Sequence, residues 1–205
     1  MEWIANRPEL ISALTGLGML LVWVIYLQVF VSNYRRQLRA TLLITRGAGN
    51  GLEARCLLSN MSAGPVYVQS VIVTLETAKE TLICPATDIL ELEGEAPSDP
   101  MQRTRQGPLA SGEIRDIGTF GGLMRHALLG KAAKSDAEFL QSVHSITIEI
   151  LGIYGSEDLP IGARRCFVVL HKDGHPLIQG QDLSTEQIRK RRERRRLITD
   201  LERDR

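Results

Sequence analysis

The sequence predicts a mainly β protein held to a membrane: one N-terminal transmembrane α-helix, followed by an antiparallel β-sandwich. Three observations carry this. Residues 10–34 contain no charged side chain. Residues 38–178 divide into short apolar runs, several with period two, separated by Gly, Pro, Asn and Asp. Only one internal stretch has clear helical periodicity, whereas a parallel α/β fold needs a helix between successive strands.

The membrane segment comes first. Leu10 to Val31 reads LISALTGLGMLLVWVIYLQVFV. As a helix these residues reach roughly 33 Å, enough for a hydrocarbon core of about 30 Å. Ser12 and Thr15 can return their hydroxyls to helix carbonyls, and Gln28 lies near one end. A cleaved signal peptide fits poorly, because Glu2 and Glu9 offset Arg7 and the apolar run is too long. Trp3 on one side and Tyr34 on the other are expected interface anchors, with Arg35, Arg36 and Arg39 beside the second. Those arginines predict an N-terminus outside and the rest inside, on the cytoplasmic side of the cell inner (plasma) membrane. Ser12, Gly16 and Gly18 form a small-residue patch where another helix could pack.

The expected strands follow in order. Leu38, Ala40, Leu42 and Ile44 alternate with Arg39, Thr41, Leu43 and Thr45, and Gly47–Gly51 (GAGNG) leads to Leu52–Leu58. Leu52, Ala54, Cys56 and Leu58 then share one face. Val66–Leu75, Thr81–Cys84, a less regular Leu109–Phe120, Val143–Tyr154, Ala163–His171 and His175–Gln179 complete the set. Seven or eight such strands favour an immunoglobulin-like sandwich in the broad sense. The helix spans Thr119–Lys134, with Phe120, Leu123, Met124, Ala127 and Leu128 on one stripe. It is expected to close an end of the sandwich, the sharper alternative being an interfacial helix on anionic lipid. Residues 93–107 (EGEAPSDPMQRTRQG) read as a flexible loop.

Charge is unevenly spread. The chain has 205 residues, 25 Lys+Arg and 24 Asp+Glu, for a formal net charge of +1. That near-zero value conceals a net of +4 over 184–205 and −3 over the remainder. Ser184 and Gln187 are spaced for a capping box, predicting a charged C-terminal helix. Its basic run, Arg189, Lys190, Arg191, Arg192, Arg194, Arg195 and Arg196, is the candidate contact for anionic lipid or a partner. Intramolecular or solvated ion pairing is the plainer use of such a run, and nucleic acid is not an expected partner.

Residues 1–9 are thus a short extracytoplasmic N-terminus, 10–32 the span and 33–37 a basic juxtamembrane segment. Residues 38–183 form the cytosolic sandwich and 184–205 the arginine-rich helix or tail.

Motifs for chemistry are sparse. Cys56, Cys84 and Cys166 stand singly in apolar strand runs and read as reduced, buried small hydrophobes. A Cys56–Cys166 pair across the sandwich would require an oxidising compartment. His171 and His175 flank a hairpin turn where their rings could meet, but two ligands do not make a metal site. The glycine-rich 47–51 segment lacks the spacing and the following helix of a phosphate loop. No catalytic site, cofactor or metal is expected.

The arrangement resembles bacterial inner-membrane proteins with one N-terminal helix and a small cytosolic β-sandwich. The leading functional expectation is a non-enzymatic membrane-tethered module that binds a membrane or membrane-associated protein through its sandwich. The alternative is an anionic-lipid-binding membrane organiser using the arginine-rich tail. A third reading is an enzyme with 93–107 as a lid.

Overall fold

A computed structural model describes residues 8–37, 39–89, 103–128, 136–155, 157–172 and 175–195. The chain forms two units, Met1–Arg39 and Ala40–Arg205. Within the first, helix α1 covers Pro8–Gln37. Thr15 returns its hydroxyl to the Ile11 carbonyl at 2.8 Å, as a hydroxyl in an apolar helix must.

The second unit is mainly β and antiparallel. Its strands are β1 (Leu42–Arg46), β2 (Arg55–Asn60), β3 (Val66–Thr77), β4 (Thr81–Pro85), β5 (Gly107–Leu109), β6 (Ile114–Thr119), β7 (Val143–Tyr154), β8 (Ile161–Lys172), β9 (His175–Gly180) and β10 (Glu186–Ile188). One sheet has the order β1-β2-β6; the larger runs β10-β8-β7-β3-β4, with β5 on β3 and β9 on β8. Registers show that β4 and β5 occupy successive stretches of one β3 edge, and β10 and β9 successive stretches of one β8 edge.

The core lies between the sheets. Leu42, Ile44, Cys56 and Leu58 from the small sheet meet Val71, Val73, Ile146, Ile148, Ile150, Ala163 and Phe167 from the large one. A register shift at Val68/Ser70 lets β3 turn Val66 and Val68, then Val71, Val73 and Leu75, all inward.

The expected strands occur with altered bounds. The first begins at Leu42 rather than Leu38, and the irregular 109–120 stretch resolves into β5, a turn and β6. The internal helix is α2 (Phe120–Leu128), followed by α3 (Asp136–Ser142). Phe120, Leu123, Met124 and Ala127 are buried, so α2 closes the sandwich. That corrects the interfacial-lipid alternative, because its apolar stripe is already occupied. Gly121 packs closely at its start: its N–H donates to the Leu52 carbonyl at 2.7 Å, and a Cβ would stand 3.1 Å from the Leu52 Cβ and 3.2 Å from that oxygen, so Leu52 would have to shift slightly.

The expected start of the charged C-terminal helix is also corrected. Glu186–Ile188 is a strand rather than a first helical turn, so the Ser184–Gln187 capping box does not form. Thr185 bonds the Ile44 N–H (2.9 Å) and carbonyl (3.2 Å); Gln187 bonds the Leu42 N–H (3.1 Å) and carbonyl (2.5 Å). Their side chains replace a missing neighbour strand along the free edge of β1. Among the described residues of this segment, helical structure appears at 191–195, and 196–205 lie outside the described residues.

Candidate functional site

Three surfaces are candidates: the exposed apolar helix, one end of the sandwich and the outer face of its large sheet. The apolar stretch Glu9–Tyr34 has 26 residues, a mean hydropathy of 2.2 and no buried part. Its length and composition permit a membrane crossing. Trp23 meets Tyr26 edge-on, and Phe30 stacks on Tyr34 with centroids 6.4 Å apart. Ser12, Gly16 and Gly18 lie along the exposed helix, and nothing approaches within 4 Å of a Cβ built at either glycine. Arg39 is exposed. Trp3 and the Arg35 and Arg36 side chains lie outside the described residues.

The two ends of the sandwich differ. The proximal end, where the chain enters from Ala40, gathers the start of β1, the 60–64 and 110–113 turns, and the β7–β8 connection. Asn60 joins the sheets there, donating to the carbonyls of Gly64 (3.0 Å) and Leu109 (2.9 Å). Because β10 runs antiparallel to β8 and places Ile188 opposite Gly162, the basic segment starts at this same end. Met61 projects from the 60–64 turn, 63% exposed.

The basic residues do not act as one set. Arg194 is withdrawn, with only 11% of its side chain exposed. It bonds Glu157 at 2.9 Å, the Pro160 carbonyl at 2.6 Å and the Leu159 carbonyl. These bonds within the domain set it apart from the other candidate lipid or partner contacts. Lys190 pairs with Glu193 at 3.2 Å but stays highly exposed. Arg189, Arg191 and Arg192 are exposed, and none has a hydrogen bond or ion pair among the described residues. Arg195 is exposed but engaged, and Arg196 lies outside the described residues.

On the outer face of the large sheet, Pro108, Tyr67 and Ile153 are cross-strand neighbours on β5, β3 and β7. All are exposed, Tyr67 by 46% and Ile153 by 48%. Beside them, Ile72, Leu151 and Ile188 form a small buried cluster. Further along, Glu149, Arg164 and Glu186 face one another across β7, β8 and β10. Arg164 bonds Glu186 at 2.9 Å, which holds that carboxyl below its ordinary range and raises the guanidinium.

The cysteine and histidine expectations need correction in detail. Cys56 is buried, and burial pushes its thiol pKa up, so it stays protonated. Cys84 and Cys166 are only partly buried. Arg165 and Phe167 turn inward, so Cys166 lies on the opposite face from Cys56 and cannot pair with it. His171 lies opposite Pro176, and His175 opposite Lys172, which puts the two imidazoles on opposite faces. Among the described residues no His, Cys, Asp and Glu cluster could hold a metal ion. The 47–51 segment is a turn: Gly47 donates to the Arg55 carbonyl, and Gly49 takes a positive φ of 92°.

Sequence reasoning missed the arginine clasps joining the sheet edges. Arg105, placed in the expected 93–107 loop, is 2% exposed. It donates to the carbonyls of Ile117 (2.6 Å), Ala86 (2.9 Å) and Asp88 (2.8 Å). Most of that loop lies outside the described residues. At the other edge Arg165 reaches the Ile44 carbonyl at 2.7 Å and lies 5.4 Å from the Phe167 ring centroid. Its inward position was readable from the alternation of Ala163, Arg165, Phe167 and Val169. Comparison with protein-family models, curated proteins and solved structures found no match.

Proposed function

We propose that this chain is a single-pass, membrane-anchored, non-enzymatic interaction module whose β domain binds another membrane or membrane-associated protein. The observation that carries the reading is the exposed Pro108–Tyr67–Ile153 row. A rigid sheet holds these side chains about 4.8 Å apart from strand to strand, offering an aromatic anchor without a large ordering cost. A tether makes a modest contact effective by raising local concentration. Orientation follows the flanking charges: Arg35, Arg36 and Arg39 favour a cytoplasmic β domain at the inner (plasma) membrane. The orders β1-β2-β6 and β8-β7-β3-β4 support an immunoglobulin-like reading, matching an A-B-E sheet facing G-F-C-C′.

The test is photocrosslinking of the full chain in native membranes, with benzoylphenylalanine at Tyr67, Ile153 or, as control, Lys79. The same discrete protein adduct from the first two positions, and none from Lys79, is expected. Identical patterns from all three, or no protein adduct, would overturn the reading.

A further inference from the structure

We propose that the proximal end of the β domain contacts anionic phospholipid headgroups, through Arg189, Arg191 and Arg192 with Met61 as an apolar insert. This deepens the proposed function and rests on α1 spanning a membrane.

Four observations converge on this end. First, the basic segment is held on the domain: β10 pairs with β8, Ile188 is buried, and Arg194 fastens the 191–195 turn to the 157–160 connection. The backbone that carries its cations is therefore held at this end. Second, Arg189, Arg191 and Arg192 remain exposed and have no partner among the described residues. The acids nearest in the fold are largely engaged: Glu157 by Arg194, Glu193 by Lys190, and Glu113 by Arg115 at 3.8 Å. Asp158 is exposed and opposes the cluster without matching its charge. Third, exposed Met61 emerges from a turn pinned by its own N–H to the Thr41 carbonyl (2.9 Å) and by Ser62 to Asn60 (2.9 Å). A flexible thioether at the same end as the cations suits the boundary between headgroup and acyl chain.

Fourth, the chain enters the domain at this same end. Five peptide steps separate Gln37 from Leu42, a covalent reach of about 18 Å at most. The connecting sequence contributes Arg39, with Arg35 and Arg36 just before it. Anionic headgroups are the polyanion that a membrane supplies at this position, and each nearby cation is worth roughly fivefold in affinity. Phospholipid is therefore favoured over nucleic acid or an acidic protein.

The experiment uses the full chain in nanodiscs of pure phosphatidylcholine, or of phosphatidylcholine with phosphatidylglycerol. Benzoylphenylalanine is placed at Met61, at distal Lys79 and, as a control for spanning, at Leu21. A lipid adduct at Met61 should form in the anionic discs. It should fall at least tenfold in neutral discs and in the Arg189→Gln/Arg191→Gln/Arg192→Gln variant, with little adduct at Lys79. Equal Met61 adducts in neutral and anionic discs, or no response to the triple substitution, would overturn the proposal. Loss of the Leu21 acyl-chain adduct would sink the spanning reading and this proposal with it. An intact Leu21 adduct with no Met61 adduct would sink this proposal alone. The substituted side chains are exposed, and an unchanged Tm would confirm that the fold is retained.

Discussion

At the distal end of the sandwich, α2 lays Phe120, Leu123, Met124 and Ala127 into the core, none more than 1% exposed. At the proximal end, Met61 projects outward and Arg189, Arg191 and Arg192 face solvent. Both ends are well tied: Gly121 to Leu52 at one, Asn60 to Gly64 and Leu109 at the other. They differ in what their side chains are spent on. At the distal end α2 uses its apolar stripe internally, whereas the proximal end leaves cations and a methionine exposed. Exposure on a well-ordered frame suggests a surface kept for contact.

Substitution should sharpen this contrast. The largest effect is expected from Phe120→Ala, which removes a fully buried ring lying 4.8 Å from that of Phe167. Denaturation of the full chain in detergent should show a loss of about 3–5 kcal/mol. Arg105→Met should follow at about 3 kcal/mol, because carbonyls of Ile117, Ala86 and Asp88 lose their donor. A change under about 0.5 kcal/mol would show that water replaces the guanidinium there.

Smaller losses are expected near the proximal end. Arg194→Ala should cost about 1.5–3 kcal/mol, the range for hydrogen bonds to charged groups. Arg191→Ala, its exposed neighbour, should stay within about 0.5 kcal/mol. Equal losses from these two would erase the division between structural and surface arginines.

The smallest effect concerns pH. The Arg164 bond holds the Glu186 carboxyl below its ordinary range in the folded state. Its stabilisation is therefore fully present above the unfolded-state value and disappears as pH falls through the lower folded one. Wild type should lose slightly more stability than Glu186→Gln on acidification through the carboxylate range. Parallel curves would show that this exposed pair contributes nothing.

The apolar architecture was legible in the sequence because burial leaves a period. Val143–Tyr154 was bounded correctly, and the α2 stripe identified the residues that plug the distal end. The polar clasps were harder to read. Thr185 and Gln187 serve β1 across more than 140 positions, which no local spacing reveals, and a local capping pattern competed with them. Arg105 sat in a polar run whose composition indicated solvent, although its guanidinium is buried and donates to three carbonyls. The basic tail was visible as charge, but its division between Arg194 and its exposed neighbours depends on where β10 ends.

Protease treatment of sealed membrane vesicles carrying the full chain, in right-side-out and inverted orientation, tests the anchored arrangement most directly. The account predicts an intact β domain in right-side-out vesicles. In inverted vesicles it predicts digestion to a membrane-retained fragment that includes Glu9–Tyr34. Cleavage of the β domain in right-side-out vesicles, or release of the whole chain from the membrane, would contradict it.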